Sequence, residues 1–256
     1  NNYIHLSELR EAEALTLISK ILYNCEPTKL ALDQKEKILN FLKHIPLFPL
    51  DISVAAYYIK ATNISFATYL ENLLYFNKGF TRIQENILRD MGEYSKVRYC
   101  IITSSLKKIL EKNPDFKPLL LTLFLLDSQN IPIELLNTIK DNMLVSNFIL
   151  SLKRYSLLTN VSSNPSLSAV LSIHRSTQTI GLYYLQQNLR LEDIKKLIKS
   201  ISEKFLSYLE KVIKEENISK MKFIIPHYQA FLSHKDLLTP DIEGLIKGQL
   251  GIIYYF

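Results

Sequence analysis

The sequence predicts a mostly α protein: a helical bundle, then helices closed by a small β-hairpin, then further helices paired as α-hairpins. Three observations predict it. Gly (6) and Pro (9) are scarce in 256 residues while Leu, Ile and Lys abound, a balance that suits helices over all-β folds. Apolar residues recur at three- and four-residue spacing through most of the chain, as in Ile194, Ile198, Ile201, Phe205 and Leu209. A single stretch, Leu157 to Ile173, instead has partly β-branched apolar runs on either side of a Ser-Ser-Asn-Pro turn cluster.

Composition bounds the rest. Hydrophobic residues are 47% and charged residues 22%, which suits a packed globular chain and excludes a disordered one. The length allows one large domain or two to three small ones. Net charge is +6, but Lys alternates with Glu and Asp on amphipathic faces, which marks solvated helices rather than a nucleic-acid stripe. Cys25 and Cys100 lack the spacing of a redox or zinc motif. With no signal peptide visible, a cytoplasmic, reducing location is expected. The start, Asn1-Asn2-Tyr3, lacks a methionine, so a fragment or processed product is expected. The longest apolar candidate, Pro118 to Leu126, is half the length a bilayer needs, so no membrane span is expected.

In order, Ser7 is the expected N-cap of a first helix from about Glu8 to Tyr23, with Leu15, Ile18 and Leu22 on one face. Pro27 punctuates, and a helix over roughly 30–42 is expected to bury Leu32, Ile38, Leu39 and Leu42. Pro46 and Pro49 make a turn and pre-set φ for the next helix, where Ser53, Ala55 and Ala56 permit close packing. Asn63 or Ser65 caps a helix through Tyr69 and Leu73, and Asn77-Lys78-Gly79-Phe80 and Gly92 mark a joint. Helices follow over 94–110, over the nearly all-apolar 118–126, from Pro132, and over 144–155.

The hairpin comes next, with Leu157–Val161 and Val170–Ile173 as its strands and Ser162-Ser163-Asn164-Pro165 as its turn. Ser176 is the expected cap of the following helix, which places His174 at a strand-to-helix corner. A lone histidine there is either structural, bonded to backbone, or a phosphate contact favoured by the helix start. Three helices followed by a hairpin is winged-helix order. The helix before the wing carries Leu144, Val145, Phe148, Ile149 and Leu152, with basic residues only at Lys153 and Arg154. That is a core face rather than one for reading base edges. Downstream, a long helix begins near Leu191, another is expected to start at Pro226-His227-Tyr228, and the last starts at Pro240. In the last, Leu250-Gly251-Ile252-Ile253-Tyr254 matches the Leu-Gly-x-x-Tyr of a tetratricopeptide repeat's first helix, with Lys247 at the usual Trp position.

These pieces, in this order, resemble the STAND signalling NTPases of the NB-ARC type. The resemblance covers nearly the whole chain. It implies a helical ARC-like domain over 1–90, a winged-helix domain over 91–190, and a helical connector over 191–256 leading into a tetratricopeptide-like repeat. Pro49-Leu50-Asp51-Ile52 looks like the family's Gly-x-Pro-Leu-Ala-Leu turn, with Leu47 in place of glycine. Ile173-His174-Arg175 falls where the family has Met-His-Asp, with Arg175 in place of Asp. The resemblance therefore implies that Pro49 packs on adenine and that His174 contacts the β-phosphate of ADP in the inactive state.

No G-x-x-x-x-G-K-[ST] is present, and no glycine precedes Gly79. ADP or ATP would thus be held only together with an upstream P-loop domain, and the chain alone is expected not to hydrolyse ATP. The implied partners are that P-loop domain, a protein ligand or effector on the repeats, and further copies on activation. An alternative of another class is a helical-repeat adaptor without a nucleotide role, in which His174 is structural. A third is a winged-helix nucleic-acid binder.

Overall fold

The computed structural model describes residues 8–78, 94–164 and 168–255. The chain is mostly helical, with twelve α-helices and one three-stranded antiparallel sheet among the described residues. It divides into two compact units. One takes the described residues up to Lys108 together with Lys153–Leu157; the other takes Ile109–Leu152 and everything from Leu158.

The first unit holds α1 (Glu11–Tyr23), α2 (Leu32–Leu42), α3 (Pro49–Thr62), α4 (Phe66–Lys78) and the start of α5 (Tyr94–Lys112). Helix α1 begins later than the sequence predicts; Ser7, Gly79, Phe80 and Gly92 lie outside the described residues. The Glu13 carboxylate accepts the Arg10 backbone N–H at 2.9 Å, so a side chain three residues into the helix starts it. α1 packs on α2 and α3, where Ala55 and Ala56 are fully buried and let the helices approach. Leu32, expected inside, is 73% exposed, because the buried stripe of α2 begins only at Ile38. An aromatic cluster closes the core, with ring centroids of Phe41 and Phe66 4.8 Å apart and of Tyr58 and Tyr69 5.2 Å apart. Asn24 and Asn63 end α1 and α3 in the left-handed region (φ 54° and 55°), which Asn tolerates better than most residues.

The second unit continues with α6 (Lys117–Leu125), β1 (Ile131–Pro132), α7 (Ile133–Ile139), α8 (Asn142–Arg154, its last residues counted with the first unit), β2 (Leu158–Asn164) and β3 (Ser168–Ile173). The strand order is β1-β3-β2, with two helices between β1 and β2. Two details differ from the sequence prediction. β1 was not foreseen, since two residues carry no periodicity; Ile131 and Pro132 pair with Leu171 and Val170. The hairpin also runs longer: Ser162, Ser163 and Asn164 extend β2 against Val170, Ala169 and Ser168 rather than forming the turn. Backbone pairing across the ladder outweighs the local turn preference of those residues. On α8, Val145, Phe148, Ile149 and Leu152 are buried as expected, while Met143 and Leu150 stand exposed.

After β3 come α9 (Arg175–Asn188), α10 (Leu191–Lys214), α11 (Ile218–Ser233) and α12 (Pro240–Tyr255). Helix α10 buries Ile194, Ile198, Ile201, Phe205, Leu209 and Val212 and packs on α7, α11 and α12. The expected helix start at Pro226 is incorrect. α11 begins at Ile218, where the Asn217 side chain accepts the Lys220 N–H at 3.0 Å, and it runs through Pro226. The buried stripe Met221, Ile224, Tyr228 and Phe231 spans the proline, so packing outweighs the one backbone bond that Pro removes. Tyr228 Oη donates to the Phe205 carbonyl at 2.6 Å, and the Phe205 and Phe231 rings lie 5.0 Å apart.

Candidate functional site

The corner that carries His174 is built by neutral hydrogen bonds and one close contact. Ile173 N donates to Ser128 O at 2.9 Å, and Asn130 N donates to the buried Ser172 hydroxyl at 2.9 Å. Gln129 Nε2 reaches Ile173 O at 3.4 Å. Beyond the corner, Gln178 Nε2 donates to Leu123 O at 3.1 Å and to Leu126 O at 2.5 Å, tying the first turn of α9 to the last turn of α6. Helices α6 and α9 touch at Gly181, where an added Cβ would lie 2.2 Å from Phe124 Cζ. Only a residue without a side chain fits there.

His174 is the N-cap of α9, not Ser176 as the sequence predicts. Its Nδ1 accepts the Ser176 N–H at 3.1 Å, doing the work expected of a serine or asparagine oxygen. A nitrogen that accepts from an amide is unprotonated, so in the neutral ring the proton sits on Nε2. His174 and Arg175 are both exposed, and the first turn of α9 contains no acidic residue. A helix start with a ring N–H and a guanidinium beside it is an electrostatic setting that favours an anion.

Pro49 opens α3 as its first residue and is exposed. Its helix start is held by charge: Asp51, fully buried, accepts both Nε (2.9 Å) and Nη2 (2.6 Å) of Arg98 on α5. The Arg98 guanidinium also lies 5.0 Å from the Phe48 ring centroid. Pro49 belongs to the first unit and His174 to the second. A groove of about 590 Å³ runs along the far end of α3, lined by Tyr23, Lys37, Ile59, Lys60, Asn63 and Phe66; Pro49 does not line it.

One histidine that the sequence left without a role is His227, which is 2% exposed on α11. Burial lowers its pKa below 6.5, against the opposing pull of Asp127 and a backbone bond to Asn130. Its sequence neighbourhood hid it, because Pro226-His227-Tyr228 reads as a helix start. Gly251 has nothing within 4 Å of an added Cβ, so no described residue makes the close approach that the tetratricopeptide match implies there. Among the described residues no cluster of His, Cys, Asp or Glu could hold a metal, and no helix is long and apolar enough to cross a membrane. Comparison with protein families and with curated proteins found no match to this chain.

Proposed function

We propose that this chain is the regulatory, ADP-sensing part of a nucleotide-switched signalling protein of the NB-ARC type. An upstream P-loop domain would hold the nucleotide, and His174 and Pro49 would contact it in the closed state. The observation that supports this function is the corner: an exposed imidazole capping a helix with no acidic residue in its first turn, just after a three-stranded sheet of order β1-β3-β2. Exchange of ADP for ATP would then remove the contact and release the winged helix, a two-state change biased by the γ-phosphate. Arg175 would add a cation where the family has a carboxylate. The C-terminal helices would bind a protein ligand or effector.

The test is the nucleotide content of the full-length gene product. The protein is purified, denatured, and the released nucleotide identified for wild type and His174→Ala. Near-stoichiometric ADP in the wild type and less in the variant is the expected result. No nucleotide in either would favour a helical adaptor in which His174 serves only as a cap.

A further inference from the structure

The imidazole of His227 lies inside the second unit, away from any role assigned so far. Its Nε2 is 3.2 Å from the carbonyl oxygen of Asn130. A carbonyl only accepts, so Nε2 carries the proton and Nδ1 is a bare acceptor. Nδ1 is buried and has no hydrogen-bond partner among the described residues. The Phe223 ring stands edge-on at 6.2 Å, and Asp127 acts on the imidazole through both its charge and its backbone.

Residues 127–130, which His227 grips, are the same loop that fixes the corner. Ser128 O accepts from Ile173 N, Asn130 N donates to Ser172 Oγ, and Asn130 itself sits at φ 54°. One loop therefore joins α11 on one side to the last two residues before His174 on the other. We propose that His227 is the pin coupling α11 to the corner that presents His174, and that protonating its imidazole loosens the 127–130 loop and shifts that corner.

The physical reason is the enclosed ring. Protonation adds an N–H at Nδ1, which has no partner in the neutral ring, and places a charge on a side chain that is 2% exposed. Burial outweighs the pull of the Asp127 charge and of the Asn130 and Asp127 backbone groups, so the native state resists the proton. Hydrating the cation requires α11 and the loop to part. Because Asn130 bonds His227 through its carbonyl and Ser172 through its N–H, that movement reaches the corner within one residue. The closed coupling is complete above pH 6.5, the ordinary histidine value, and is lost as pH falls through the lower native pKa. None of this depends on nucleotide.

The test is a pH titration of the isotopically labelled 256-residue chain by NMR, in a His174→Asn background. Asn keeps a cap on α9 and removes the second imidazole beside the reporter amides. The expected result is that the Asn130 and Ile173 amides shift with one midpoint, below pH 6.5 and equal to that of the His227 ring itself. Adding His227→Gln, which can still donate to Asn130 O but does not titrate, should abolish the shift. A ring that titrates while those amides stay still overturns the coupling. So does a shift that persists with His227→Gln. The first comparison needs only the His174→Asn chain, so it stands even where the double variant fails to fold.

Discussion

The two positions singled out for nucleotide contact are held by opposite means. At Pro49 the helix start is fixed by a fully buried carboxylate, Asp51, gripped at two nitrogens by Arg98. At His174 the corner is fixed by neutral bonds to main-chain groups, from Gln129, Gln178 and the Ser172 hydroxyl, and by the contact of Gly181 with Phe124. A buried ion pair is stiff and fails sharply when one partner goes. A set of neutral bonds each contributes little and yields by degrees. In the proposed function the first unit would offer a fixed platform, and the second a corner that can shift.

The largest expected effect lies at the platform. Arg98→Met leaves the Asp51 carboxylate buried without its guanidinium and should cost about 3–5 kcal/mol in denaturant unfolding. Asp51→Asn, which keeps a hydrogen-bond acceptor, should cost less. Equal and small losses in both would mean that the pair does not anchor α3, and the contrast between the two sites would vanish.

Next comes the contact beneath the corner. Gly181→Ala places a methyl against the Phe124 ring and should cost about 1–3 kcal/mol. Phe124→Leu in the same chain should recover part of it, a coupling that a double-mutant cycle reads directly. Additive losses would contradict the packing account.

At the corner itself the expected change is smaller. His174→Ala should destabilise by about 0.5–2 kcal/mol through loss of the cap, while His174→Asn should stay near wild type. A thermal scan of the three proteins separates capping from any other role of the ring.

The last effect is graded. Burial lowers the pKa of both His227 and His234, which lie in the second unit. The unfolded chain thus binds more protons than the native one, so stability is fully present above pH 6.5 and is lost as pH falls through the lowered native values. Hydrogen exchange between pH about 8 and about 5 should show α11 opening before α1 and α3. Uniform loss across both units would refute the asymmetry.

Long amphipathic helices were legible in the sequence, because α10 repeats its buried stripe over 24 residues and α6 is apolar all round. Pro49 at the first position of α3 was legible from proline's fixed φ. The corner at His174 was legible as a change of period. Its cap was not, since Ser176 is the commoner capping type and only the fold aims the imidazole at the Ser176 N–H. β1 escaped because its partner, β3, lies about 40 residues downstream, as Ile131 pairs with Leu171. Pro226 misled because local backbone cost was weighed without the buried stripe that crosses it. The bond of His227 was invisible because its partner, Asn130, is 97 residues away in the chain.

In the proposed function the Nε2–H of His174, not its capping Nδ1, meets the nucleotide. The most direct measurement is the ADP retained by the full-length gene product in wild type, His174→Ala and His174→Asn. Asn keeps the cap but has no imidazole N–H. Loss of ADP in both variants is the predicted result. ADP retained by His174→Asn and lost only from His174→Ala would contradict the claim and leave the histidine as a cap.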